Sequence, residues 1–434
     1  MIHKLDVRDY DMTDVRKPMV EFRKYVLDNG LKVILARNNK IPSVVINTTY
    51  KVGSKDEMPE VTGLAHLLEH LLFEETANTS SGEFDTLLQS RGGESNAYTS
   101  NDITNYFMLL PSNQLEFGLW LDSDRMAGFG VTSESLEVQK KVIHEEKLLY
   151  CDNAPYGSVD EISSKLLFPD CAYKWPVIGD VENLMQLSLG EVEKFYSKYY
   201  SPSNAILTIT GDIDYSTVPE LVNKYYGTIN SNGAIHRTEF GTLRQTLTLS
   251  ETVPDNVNLP SDFIFYLVPE KNTREYIVGN LLSFILSYGE SSLLYKELVY
   301  KGDLVSDIDL TYHALEKAGT MSLALSGYAD KPIEKAVEKF DNIIGNISAG
   351  YFENSLIDKA KNQVMTMYCN RNITLISTAD QLANYEFYFN DPEKINTSIY
   401  DYLSVSKNEL TMFAKKFLRP DNRIRLSYIP KNKK

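Results

Sequence analysis

The 434-residue chain is poor in cysteine and histidine and short of positive charge. Its three cysteines, Cys151, Cys171 and Cys369, are odd in number, widely spaced and in no C-x-x-C arrangement. That argues against a disulfide framework or a cysteine-built metal site, so they read as buried or incidental thiols. No run approaches the roughly 18 uninterrupted apolar residues that a membrane helix requires. The N-terminal "MIHKLDVRDYDMTDVRK" alternates charges where a secretory leader needs an apolar centre. The chain therefore reads as soluble and cytoplasmic, or periplasmic or secreted if a leader has been trimmed. With 44 Lys and Arg against 59 Asp and Glu, the formal charge is −15, which opposes nucleic acid and anionic membrane as partners. What remains is an ordinary globular composition, 43% hydrophobic and 24% charged, long enough for two cores.

The first part predicts a strand, the turn Asp28-Asn29-Gly30 and a second strand in "FRKYVLDNGLKVILA", then a third in "SVVINTTYKV". Apolar residues recur at three and four in "GLAHLLEHLLFEE", "SGEFDTLLQSR", "NQLEFGLWLDSDRM" and "SLEVQKKVIHEEKLLYC", which predicts helices grouped between strands, an α+β pattern. Near the C-terminus "VSKNELTMFAKKFLRPDNRIRLS" echoes "LSLGEVEKFYSKYYSPSNAILTI". Glu191, Phe195, Lys198, Pro202, Asn204 and Ile206 match Glu409, Phe413, Lys416, Pro420, Asn422 and Ile424, each pair at the same separation, about half the chain. Two tandem similar domains follow, 1–235 and 236–434, with the polar "NSNGAIHRTEFG" as linker. Each is expected to be a mainly antiparallel sheet with helices packed on it.

Two of the six histidines flank a glutamate in His66-Leu67-Leu68-Glu69-His70. At about 100° per residue, His70 lies about 40° from His66 and Glu69 about 60° on the other side, so one helical face presents two imidazoles and a carboxylate. Imidazoles one turn apart can share a zinc ion, and a neighbouring carboxylate that is not a ligand can hold and deprotonate water. This order reverses H-E-x-x-H and is itself a zinc-protease signature. The bland alternative is an ordinary polar face beside the stripe Leu64, Leu67, Leu68 and Leu71, so a third ligand has to decide. Glu74, about 12 Å along the helix axis from His66, is too far to share the ion, and it and Glu75 read as solvated. The acidic pair Glu145 and Glu146, in "KKVIHEEKLLY", is the better source. The repeat separation carries the motif onto Phe284, Ser287 and Tyr288, so the second domain is expected to lack a metal site.

"GLAHLLEHLLF", followed 76 positions after His70 by Glu146, resembles the inverzincins, the zinc peptidase family of pitrilysin, insulin-degrading enzyme and the mitochondrial processing peptidase. "LDNGLKVIL", "RGGESNAYTSNDITNYF", "DNAPYGS" and "YYSPSNAILTITGD" extend the resemblance in order through the first 212 residues. It implies His66, His70 and Glu146 as ligands of one zinc ion per chain, Glu69 as general base, and Glu145, pointing about 100° away, as the weaker candidate. It also implies that "SNAYTSND" is an edge strand on which a peptide substrate pairs its backbone, with Asn96 and Ala97 as binding residues. His144 is expected to face elsewhere, and His3, His236 and His313 read as isolated.

The chain also departs from the family. A further glutamate common before the metal-binding one falls on Gln139, so its orienting role is weakened or passes to Glu137. The arginine and tyrosine that the family uses to hold the substrate carbonyl fall on Val299 and Ser306 in "ELVYKGDLVSDI", neither of which can do that work. The resemblance thus implies a zinc-dependent endopeptidase subunit, two domains facing each other around an acidic chamber, with a homologous partner subunit or a homodimer completing the site. The alternative is a non-catalytic scaffold or interaction subunit; a zinc enzyme acting on something other than peptides is a third.

Overall fold

A computed structural model describes residues 19–231, 233, 235–237, 239–243 and 248–431. The first half contains strands β1 (Phe22–Val26), β2 (Lys32–Arg37), β3 (Ser43–Tyr50), β4 (Glu94–Thr99), β5 (Thr104–Pro111) and β6 (Ala205–Gly211). Its helices are α1 (Leu64–Glu74), α2 (Glu83–Gln89), α3 (Leu115–Ala127), α4 (Ser133–Lys147), α5 (Val159–Leu167), α6 (Val181–Gln186), α7 (Leu189–Tyr199) and α8 (Val218–Tyr226). The second half contains β7 (Thr248–Asp255), β8 (Ser261–Val268), β9 (Asp307–Ala314), β10 (Gly319–Ser326) and β11 (Arg423–Pro430). Its helices are α9 (Arg274–Ser287), α10 (Glu334–Ser348), α11 (Asn354–Arg371), α12 (Leu375–Phe389), α13 (Lys394–Leu403) and α14 (Lys407–Phe417).

The strands form two sheets, ordered β1-β2-β6-β3-β5-β4 and β7-β11-β8-β10-β9. Apart from an added β1, the second order repeats the first, down to its one parallel pair: β2 with β6, and β7 with β11. The echo lies in this frame. Ser188 and Glu191 form a capping box on α7, Ser406 and Glu409 form the same box on α14, and each helix delivers the chain into the strand parallel to its sheet's neighbour. The fold is therefore α+β, two similar mainly antiparallel sheets with packed helices. We propose residues 1–235 and 236–434 as the two domains, since the sheets lie on either side of that division.

Each half has its own apolar core. One is built on inward-facing positions of the first sheet such as Val33, Ile46 and Leu207 with Leu68 and Leu119, the other on Ile264, Leu282, Leu323 and Phe340. The halves also trade helices. On the face of the first sheet away from its own core, α12 lays Leu382 and Ala383 on Ile34, Ala36 and Ile206, and Leu375 and Ala379 on Val45. Reciprocally, α5 and the segment after it place Val159, Leu167 and Phe168 on Phe265, Ile424 and Leu426 of the second sheet. This exchange explains the patterning: β6 is buried at every residue because both its faces are covered, whereas β9 alternates as a strand with one wet face does.

Polar contacts lock the exchange. The fully buried carboxylate of Glu386 on α12 pairs with Lys24, at 2.6 Å, and with Lys32. Buried Asp102 accepts from Lys55 Nζ at 2.9 Å, Tyr173 Oη at 2.7 Å, Tyr388 Oη at 3.1 Å and the Glu316 backbone N–H at 2.8 Å, tying first-half loops to the second half. A cavity of about 700 Å³ lies between β4 and the second-half helices α9, α11, α12 and α13. The expected acidic chamber is not what lines it: Lys271, Arg274, Arg371 and Lys394 face Asp380 and Asp401, so its charge is positive despite the chain's net −15. The acidity lies elsewhere on the molecule. No helix of the described residues is long and apolar enough to cross a membrane.

Candidate metal centre

Helix α1 buries Leu64, Leu67, Leu68, Leu71 and Leu72 against the first sheet, which leaves His66, Glu69 and His70 half-buried on the opposite flank. The helix begins at Gly63, whose φ of 90° suits glycine and whose added Cβ would meet the Ile178 carbonyl oxygen at 2.9 Å. Glycine brings no capping side chain, and Glu57 takes that role from outside the helix. Its carboxylate accepts from the backbone N–H of Gly63 at 2.9 Å and of Ala65 at 2.8 Å. Burial pushes the Glu57 carboxyl up to about 8, against these two donors.

The helix that carries Glu146, α4, is tied to the end of α1. Glu75, the residue after α1, accepts from the Thr132 backbone N–H at 2.9 Å and from Ser135 Oγ at 2.5 Å in the first turn of α4. Glu74 accepts from Ser81 Oγ at 2.7 Å and Gln139 Nε2 at 3.0 Å. The expectation that both glutamates are merely solvated is therefore corrected, because each bridges α1 to a neighbouring segment.

This crossing brings Glu146 to His70, with Oε2 3.5 Å from Nε2. Ligand atoms of His66, His70 and Glu146 all lie within 4.8 Å of one another, the one such His/Cys/Asp/Glu group among the described residues. Glu145 is exposed, and His144, His236 and His313 join no such group; His3 lies outside the described residues. The three thiols are unpaired and stand outside it too.

Protonation at the cluster suits a cation. Burial, with His70 adding to it, pushes His66 down to about 4, so its imidazole is neutral, and its buried Nδ1 has no hydrogen-bond partner. Gln139 Oε1 stands 3.3 Å from His70 Nδ1. The amide nitrogen of Gln139 already points at Glu74, so its oxygen faces the ring and accepts from Nδ1, which leaves Nε2 on the Glu146 side. Gln139 thus holds the ring where a glutamate was expected, and the alternative Glu137 is exposed and paired with Lys140 at 2.6 Å. Two imidazoles and a carboxylate, with a buried ring nitrogen lacking a partner among the described residues, are the donor types that zinc takes.

Glu69 stands beside this set. Burial pushes its carboxyl up to about 7, a hydrogen bond from Thr99 opposes that, and the charge of Glu146 adds to it. Thr99 lies on β4, which among the described residues pairs only with β5 and is the free edge of the first sheet. On the same strand the Ala97 backbone N–H is held at 2.8 Å by Asn96 Oδ1, a side chain standing where a neighbouring strand would otherwise bond. Sequence reasoning missed Thr99 and Glu57. An acidic residue shortly before a helix that opens on glycine was the available signal for Glu57; nothing in the sequence marks Thr99 apart from its place in "SNAYTSND".

Val299 is half-buried against the second core, and Ser306, exposed, gives its hydroxyl to the Ser326 carbonyl at 3.0 Å. In the second half α9 occupies the place of α1, and Phe284, Ser287 and Tyr288 stand where the motif would be; Ser287 Oγ donates to the Leu310 carbonyl at 2.9 Å.

Residues 32–152 match the sequence model of the family described as "Insulinase (Peptidase family M16)", and residues 186–364 match "Peptidase M16 inactive domain". The chain is 28% identical over 400 residues to "Zinc protease PqqE" of Helicobacter pylori, covering 91% of this chain and 89% of that one. It is 24% identical over 345 residues to "Uncharacterized zinc protease YmxG" of Bacillus subtilis, covering 79% and 82%. The crystal structure of a protease from Helicobacter pylori superposes with a TM-score of 0.89 at 26% identity, covering 95% of this chain and all of that one.

Proposed function

Because the chain belongs to the insulinase family of peptidases, family M16, we propose that it is the zinc-bearing subunit of an endopeptidase that hydrolyses peptides or unfolded segments. The convergence of His66, His70 and Glu146 from two helices carries this reading. Those three residues would hold one zinc ion, which when bound would supply Lewis-acid polarisation of a carbonyl and acidify water. Glu69, with a proton affinity near neutrality, takes a proton from the attacking water and returns it to the leaving amine. Thr99 orients that carboxylate from β4, so the strand that binds the substrate backbone also positions the base. Asn96 and Ala97 bind the peptide main chain along the free edge, the Asn96 side chain yielding the Ala97 N–H to it.

Val299 and Ser306 give this chain no donor pair for the carbonyl region, and a second copy would bring the same two residues. A homologous partner subunit with its own arginine and tyrosine therefore completes the site better than a homodimer. A scaffold subunit, the second reading, has no use for a half-buried cluster of two imidazoles and two carboxylates.

Metal analysis of the purified chain is expected to find about one zinc per molecule. Glu69→Gln is expected to lower peptide cleavage about a hundred- to ten-thousandfold with zinc retained. A metal-free chain that still assembles with a homologous partner would show the scaffold reading to be the right one. The parent chain alone is expected to be weakly active, and full turnover without any partner would remove the partner from the proposal.

A further inference from the structure

Side chains of β4 alternate between the two faces of the first sheet. Thr99 reaches Glu69 on the α1 face, and its neighbour Tyr98 donates its hydroxyl to Asp380 of α12 at 2.6 Å on the opposite face. Tyr98 also lines the cavity of about 700 Å³ between the halves. A peptide added as a strand to the β4 edge has the same alternation, so every second side chain falls on the Tyr98 face, beside that cavity.

The cavity has charges to spare. Arg274 is held by Glu409 at 2.9 Å and by the Asp401 carbonyl, and Lys394 pairs with Asp401 at 2.9 Å. Lys271 and Arg371 have no ion pair among the described residues; Lys271 Nζ rests 4.0 Å from the centre of the Tyr388 ring. The remaining carboxylate, Asp380, is occupied by Tyr98, and burial raises its proton affinity. Burial likewise pushes Lys271 down to about 8, with the charges of Asp380 and Asp102 opposing that and the charge of Arg371 adding to it. Tyr276, Tyr385 and Tyr402 supply further hydroxyl-bearing walls.

Building on the peptidase reading, we propose that this cavity is a specificity subsite for a carboxylate of the bound peptide, received by Lys271 and Arg371. An acidic side chain and a free C-terminal carboxylate share that chemistry. The subsite makes an acidic enzyme select acidic or C-terminal segments, against what its overall charge suggests.

The test uses the full chain with Glu69→Gln, so that peptides bind without being cut. Fluorescein-labelled unstructured peptides carry one glutamate at successive positions, each with a glutamine twin, and each as free acid and as C-terminal amide; anisotropy reads binding. At least one carboxylate-bearing peptide is expected to bind about tenfold more tightly than its neutral twin, the ratio that one charge-assisted hydrogen bond sustains. If the glutamate position sets the ratio, the source is a side chain; if the acid-amide pair sets it, the source is the terminus. Lys271→Met and Arg371→Gln should each bring the ratio towards one, and Lys271→Arg should keep it. Arg371 is an exposed residue at a helix end, so its variant is not threatened by misfolding. Equal binding of every acidic and neutral pair, or a ratio unmoved by both charge-removing variants, overturns the subsite. Failure of the peptidase reading shows separately, as absence of cleavage by the chain with Glu69 intact.

Discussion

Thr99 Oγ1 donates a hydrogen bond of 2.6 Å to Glu69 Oε2, joining the free edge strand of the first sheet to the carboxylate beside the metal cluster. Because this bond favours the ionised form, Thr99→Val is expected to raise the proton affinity of Glu69 above its present value of about 7. A general base is active only when ionised, so the acidic limb of the kcat/KM profile should move to higher pH. Profiles of parent and variant with one peptide check this; a limb that stays in place would mean that Glu69 is not the group titrating there.

Gln139 fixes which nitrogen of His70 is free, through a contact of 3.3 Å to Nδ1. Gln139→Leu removes that acceptor and leaves Glu74 without its amide partner. Zinc affinity should fall about tenfold or more, as for other lost partners of ligating histidines. Competition with a chromogenic chelator measures it, and an unchanged affinity would show that packing alone sets the ring.

Glu57 caps α1 with both oxygens. Glu57→Gln turns an NH2 group towards one of the two backbone donors, so a buried N–H loses its partner. Unfolding by denaturant should register a loss of about 1–3 kcal/mol, and zinc should bind more weakly because His66 lies in the helix's first turn.

Asp102 joins the two halves, and its titration has a definite sign. Burial alone would raise its proton affinity, but Lys55 and the hydroxyl of Tyr173 outweigh burial and hold it below the ordinary 3.8. Its contribution is therefore fully present above about that pH and disappears as pH falls through the lowered native value. Asp102→Asn should destabilise the protein by about 3 kcal/mol at neutral pH, since Lys55 loses its closest counter-ion in a buried site. The variant should also lose less stability on acidification than the parent. Chemical denaturation at neutral and acidic pH compares the two.

The shared face of His66, Glu69 and His70 was legible because it depends on spacing along one helix, and spacing is written in sequence. Duplication was legible for the same reason: the echo of Glu191, Phe195 and Pro202 in Glu409, Phe413 and Pro420 marks two copies of one helix-to-strand unit, which the two capping boxes reproduce. The edge position of "SNAYT" followed from the resemblance and is where the sheet order places it.

Contacts between distant segments were not legible in this way. That Gln139 rather than Glu137 supports His70 depends on which side of α4 faces α1, and that in turn depends on Glu74 and Glu75 bridging the helices. The positive lining of the cavity beside β4 was not legible from the net charge, because −15 is a sum over the whole chain and says nothing about where each charge lies. The sequence by itself determined a helix with two imidazoles and a carboxylate on one face, an acidic pair on another helix, and two similar sheets. The choice of Glu146 over Glu145 came from the family resemblance, and the 3.5 Å between Glu146 and His70 agrees with it. The tertiary structure alone decided that α5 and α12 are exchanged and that Thr99 bonds to Glu69, because each requires residues far apart in the chain to meet.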